Sequence, residues 1–157
     1  LNDIITVWHA HKYGLVWHKQ TRDASGAITW ERREILSVEP DFDSDALRMT
    51  QLHALALADM NGNGLMDIIA GKRWWAHGPT GDPESDAPAQ LYWFELIRDR
   101  DGARFAPHLI DSDCGAGTQI AVADLRGSGL VDIVISNKKG VSLLLHNTNR
   151  SKKENLK

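Results

Sequence analysis

The chain has a single cysteine, Cys114, so no internal disulfide can form. No histidine neighbours Cys114 in sequence, and nothing pairs it with a base, which argues against a catalytic thiol. Long apolar runs are absent, which excludes a membrane-spanning helix. Charge of one sign is not in excess either. Lys and Arg total 18 against 21 Asp and Glu, a formal charge of −3 that gives no attraction for nucleic acid or for an anionic membrane. Hydrophobic residues make up 42% of the 157 positions, enough for one respectable core.

What the chain does have is a stretch rich in hard oxygens, Asp59-Met60-Asn61-Gly62-Asn63-Gly64-Leu65-Met66-Asp67. Donor side chains stand at its first, third, fifth and ninth positions, and the Leu65 carbonyl can join at the seventh. Gly62 and Gly64 suit the tight backbone of such a loop. A flexible ring of oxygens is what Ca²⁺ prefers. An EF-hand would need flanking helices and a bidentate Glu at the twelfth position. Here the flanks, 53–58 and 68–71, are strand-like, and Ala70 stands at that position. A plain Gly/Asn/Asp turn accommodates the same residues without a metal, but the alternation of donors favours calcium.

The frame returns at Asp124-Leu125-Arg126-Gly127-Ser128-Gly129-Leu130-Val131-Asp132. Asp124, Ser128, the Leu130 carbonyl and Asp132 keep it, but Arg126 takes the third position, where a guanidinium has no acceptor to offer a metal. Arg126 either swings out and leaves a poor site or turns in and replaces the ion by pairing with the aspartates. The second reading is preferred, because facing carboxylates need compensation. Asp3 heads a similar strand, and Asp3, Asp67 and Asp132 fall 64 (67 − 3) and 65 (132 − 67) residues apart. So even a period marks a repeat architecture.

The pattern Ala58-Asp59-x-Asn61-Gly62-Asn63-Gly64-x-x-Asp67-Ile68, copied at 123–133, resembles the FG-GAP/VCBS class of calcium-loop β-propeller repeats. The resemblance extends over nearly the whole chain. It implies an all-β fold, a portion of a propeller built from antiparallel four-stranded blades and incomplete at both ends. It also implies structural Ca²⁺ on Asp59, Asn61, Asn63, Leu65 and Asp67, and an extracellular or periplasmic setting. It says little about activity, since such propellers serve adhesion, carbohydrate binding and catalysis alike. The expected units are a partial blade over 1–36 lacking its inner strand and calcium loop, a complete blade over 52–110, a partial blade over 118–147 lacking its outer strand, and a flexible tail over 148–157. Because the count begins and ends inside a unit, the expected partners are the remainder of a longer propeller chain or other copies of this one.

Between the loops, several residues invite a chemical reading. His9 and His11 share one face if the first strand continues through them, and such a pair makes half of a transition-metal site. His9, Arg73 and Lys138 stand at equivalent places, each six residues after its aspartate. Beside Trp8 and Trp74-Trp75 they form a cationic, aromatic rim suited to a carboxylate- or hydroxyl-rich ligand such as a sugar. The plain alternative is that they cap strand ends. The segment 76–90, which carries His77, is a Gly/Pro-rich insertion, the place where repeat proteins build binding surfaces. Two functions follow. One is a calcium-stabilised scaffold for a carbohydrate or an extracellular protein. The other is part of a sugar-processing enzyme of the lyase or dehydratase type, using His9, His11, His77 and Arg73. A transition metal at the histidines separates the second from the first.

Overall fold

The computed structural model describes residues 2–147; the tail expected over 148–157 lies outside the described residues. Ten strands make up the regular structure: β1 Ile4–Val7, β2 Leu15–Arg22, β3 Ile28–Leu36, β4 Leu52–Ala58, β5 Asp67–Lys72, β6 Leu91–Asp99, β7 Gly102–Asp111, β8 Ile120–Ala123, β9 Asp132–Asn137 and β10 Gly140–Leu144. They form three antiparallel sheets in simple meander order: β1-β2-β3, β4-β5-β6-β7 and β8-β9-β10. The fold is therefore all-β. Among the described residues no helix is long and apolar enough to cross a membrane.

Side-chain alternation explains how the sheets stack. Every residue of β5 is buried, because both faces of the middle sheet are covered. Ile68 and Ala70 face one way and meet Leu15, Leu36, Met49, Leu52 and Phe94. Ile69 faces the other way and meets Ala58, Met60, Leu91, Ala116, Ile133 and Ile135. Burying each isoleucine contributes about 1.5–3 kcal/mol. A one-residue slip of β5 would exchange the two faces and spoil both cores at once.

Two crossings stitch the sheets together at the same end. Between the first and second sheets, Tyr13 bridges Thr50, and the Gln51 amide donates to the Lys12 carbonyl at 3.1 Å. Between the second and third, Arg73 bridges Ala116, whose amide donates to the Lys72 carbonyl at 3.0 Å. The chain passes so close here that a side-chain carbon on Gly117 would run into the Ser136 carbonyl.

Candidate metal centre

Three segments converge at that stitched end. His11 lies on the tight crossing from β1 to β2, where the Trp8 amide donates to the Gly14 carbonyl at 2.9 Å. His53 opens β4. His77 and Asp82 come from the long crossing between β5 and β6. Gln51, fully buried, ties the three segments together: besides its bond to Lys12, its carbonyl accepts from the Arg73 amide at 3.0 Å and its Oε1 from the Ala76 amide at 3.0 Å.

The backbone is bent to make this meeting. Among the described residues, three other than glycine have positive φ: Gln51 (59°), Trp75 (49°) and Glu84 (47°). Each sits two residues from His53, His77 or Asp82 respectively. Such conformations cost free energy and concentrate where function requires them. The β5–β6 crossing is also held from several sides. The buried Lys72 ammonium donates to the Ser85 carbonyl at 3.1 Å, Thr50 to the Pro83 carbonyl at 3.1 Å, and Tyr13 and Arg48 both reach the Glu84 carboxylate.

One donor atom each from His11, His77 and Asp82 can be chosen so that all lie within 4.8 Å of one another. His77 Nδ1 is 3.2 Å and His11 Nδ1 3.4 Å from Asp82 Oδ1. Bonds of 2.0–2.1 Å to a tetrahedral metal would place neighbouring donors about 3.3–3.4 Å apart, so both separations match. The two imidazoles stack at 4.2 Å, and the His53 ring meets His11 edge-on at 4.8 Å. Although His11 Nδ1 is close to the carboxylate, it lies outside hydrogen-bonding angle and is buried without a partner; His53 Nε2 and the Trp75 indole nitrogen are buried and unpartnered too. Buried polar atoms are nearly always paired. Three of the four orphans among the described residues fall in this one region.

The electrostatics favour a cation. Only 3% of the Asp82 side chain is exposed. Burial pushes its carboxyl up, but bonds from the His77 ring and amide and the charges of His77 and His11 outweigh this and hold it below the ordinary carboxylate range. Burial, then the nearby Arg73 charge, holds His53 below the usual histidine value, so its ring is neutral at pH 7 with a lone pair to give.

The other candidates are placed as follows. β1 ends at Val7, so His9 and His11 do not share a strand face. His9 is exposed, in a turn closed by the Lys12 amide on its carbonyl at 3.2 Å. Lys138 caps the insertion, donating to the Trp75 carbonyl at 2.6 Å. Arg73 has no side-chain partner among the described residues. Burial and Asp111 push the Cys114 thiol up to about 12, so it is no nucleophile at neutral pH.

In the first oxygen-rich loop, Asp59 accepts the Gly62, Asn63 and Gly64 amides at 2.8–3.0 Å, and Asn63 accepts the Leu65 amide at 2.8 Å. Asn61 donates to Glu95 at 2.8 Å. Asp67 is fully buried, and its two oxygens accept the Met60 and Leu96 amides at 2.9 and 2.8 Å. The second loop copies this arrangement. Asp124 accepts the Ser128 and Gly129 amides, the Leu130 amide donates to the Ser128 hydroxyl, and Asp132 accepts the Leu125 and His146 amides. Arg126 turns in and grips Asp132 with two nitrogens, at 3.2 and 2.9 Å. Asp124 takes no part in that pairing.

Sequence reasoning missed Asp82 and His53. Asp82 sits among turn formers and reads as a solvated loop, while His53 reads as the start of an ordinary strand. The insertion itself was the available signal. No protein-family model, no curated protein and no solved structure matches the chain.

Proposed function

We propose that the chain is part of a metal-dependent enzyme acting on sugars, with a divalent first-row transition metal held by His11, His77 and Asp82. The observation that carries this is the convergence of two imidazoles on one buried carboxylate, with the His11 nitrogen unpartnered beside it. Two histidines and one carboxylate leave coordination positions open, as catalytic sites require. When bound, such an ion supplies Lewis acidity toward a substrate carbonyl. The neutral His53 ring takes the proton from the carbon next to that carbonyl, and Arg73 offsets the negative charge that develops. A hydroxyl or a glycosidic oxygen then leaves the next carbon, taking up the proton that His53 holds, and completes a dehydration or a lyase reaction. In calorimetric titration with Zn²⁺ the chain takes up one tightly bound ion. His77→Ala and His11→Ala each weaken it, on the order of 100-fold. Unchanged affinity in both variants overturns the reading.

The three sheets are read as successive portions of an FG-GAP/VCBS-type propeller. Supporting this, Asp3, Asp67 and Asp132 each accept a backbone amide from the third strand of their unit or just beyond it, namely those of Gln20, Leu96 and His146. The expected partners, the rest of a longer chain or further copies, belong to this proposal.

A second reading, a calcium-stabilised scaffold, rests on the contrast between the loops. Asp132 has Arg126; Asp67 has no cationic partner among the described residues, and burial, with the Asp59 and Glu95 charges adding to it, holds its carboxyl above the ordinary range. The all-oxygen donors Asp59, Asn61, Asn63, Leu65 and Asp67 fit Ca²⁺ at the first loop, whereas the second loop carries its own cation. An extracellular or periplasmic setting, where calcium is abundant, goes with this reading. Calcium then raises the melting temperature by mass action, and Asp59→Ala abolishes most of the rise. Thermal unfolding indifferent to chelation contradicts it.

A further inference from the structure

The fourth unpartnered buried atom among the described residues is the His146 ring nitrogen Nδ1. It lies away from the metal centre. The His146 amide donates to Asp132, which opens β9, whereas Lys138, which caps Trp75, follows the other end of that strand. His146 lines a cavity of 370 Å³ between the second and third sheets. Its other walls include Trp93 and Ile110 of the second sheet and Ile133 and Leu144 of the third. None of His11, His53, His77 and Asp82 belongs to it.

The repeat shows what is unusual here. The Leu96 and His146 amides serve the equivalent aspartates Asp67 and Asp132, so the two residues hold corresponding places. Leu96 is buried hydrocarbon. His146 brings a nitrogen to the corresponding place and leaves it without a bond, which costs free energy that a leucine avoids.

The surroundings are rigid. The His146 backbone is fixed twice, its amide on Asp132 at 2.9 Å and its carbonyl accepting from Arg126 at 2.7 Å. Trp93 is stacked on His108 at 4.4 Å, and His108 is bonded to Glu95 at 2.9 Å. A largely apolar wall with a fixed polar atom is the usual make-up of a small-molecule site. A cavity of about 150 Å³ accepts one benzene ring, so this one has room for a ring with a short substituent. Among the described residues, no Lys, Arg, Asp or Glu lines it, so a charged ligand group would be buried unpaired. A sugar would leave most of its hydroxyls facing hydrocarbon. A single hydroxyl fits, because it can donate to Nδ1 or accept from it in either tautomer of the imidazole.

We infer that this cavity is a ligand site for a small neutral phenol, its ring against Trp93 and its hydroxyl on His146 Nδ1. The inference stands apart from the metal centre and from the reaction proposed there.

The test is calorimetry on the chain with 4-ethylphenol and ethylbenzene, which differ in the hydroxyl alone. 4-Ethylphenol binds one to one, and more tightly than ethylbenzene by about fivefold or more. His146→Leu, which installs the residue found at the corresponding place of the second unit, reverses that order. Crystals of the native chain soaked in 4-bromophenol show an anomalous bromine peak between Trp93 and the His146 ring, which locates the site even if the variant does not fold. Undetectable binding of 4-ethylphenol, binding no tighter than that of ethylbenzene, a preference that survives in His146→Leu, or bromine found only elsewhere overturns the inference.

Discussion

At the scale of single residues, the repeat can be read through one aspartate. Asp67 and Asp132 accept equivalent amides and are equally buried, yet their carboxyls are displaced in opposite directions. Burial raises Asp67. The Arg126 hydrogen bond and the His146 amide lower Asp132 from its ordinary value of 3.8. Since the folded carboxyl of Asp132 is the stronger acid, its contribution to stability is complete above that ordinary value and is lost as pH falls through the lowered one. Asp67 has the opposite sign: its contribution belongs to the protonated form and fades as pH rises. Arg126→Gln therefore makes stability less sensitive to acid below 3.8, measured as the urea midpoint against pH. An acid limb as steep as that of the native chain refutes the pairing. Arg126 was legible in the sequence because a cation cannot serve as a metal donor. That it grips Asp132 and not Asp124 was not, since the sequence does not say that Asp124 is already engaged by its own loop amides.

At the scale of elements, the crossing between β5 and β6 governs the candidate centre. It brings His77 and Asp82 to His11, and Lys72 holds it in place through the Ser85 carbonyl. Burial lowers the Lys72 pKa, so its charge is tolerated there at a cost. Lys72→Met removes that cost along with the tether. The expected result is a melting temperature within a few degrees of native but zinc affinity lowered about tenfold, as when a supporting partner of a ligand is removed. Native affinity in this variant shows that the tether does not position the centre. Strands were the most legible part of the chain, because alternation and β-branched runs mark them locally. The strand-like flanks expected over 53–58 and 68–71 fall within β4 and β5. The pairing of His9 with His11 failed for a local reason: β1 stops at Val7 and the chain turns. His53 and Asp82 were illegible for a different reason. They meet His11 through contacts such as those of Gln51, whose positive φ and buried bonds are consequences of tertiary packing.

At the scale of the whole molecule, three antiparallel sheets in series share two apolar seams, and every segment of the candidate centre lies at one end of those seams. The 64- and 65-residue spacing of Asp3, Asp67 and Asp132 marked a period in the sequence, and the FG-GAP/VCBS resemblance implied the all-β class. The place where different units meet was not readable, because a period describes each unit and not the contact between units. The proposed enzyme thus depends on parts drawn from two units: His11 from the first, and His53, Arg73, His77 and Asp82 from the second. The most direct measurement is anomalous X-ray scattering across the zinc absorption edge, on crystals of the chain grown with equimolar Zn²⁺. The account predicts one dominant peak within bonding distance of His11, His77 and Asp82. A dominant peak elsewhere, or none at these three side chains, contradicts it.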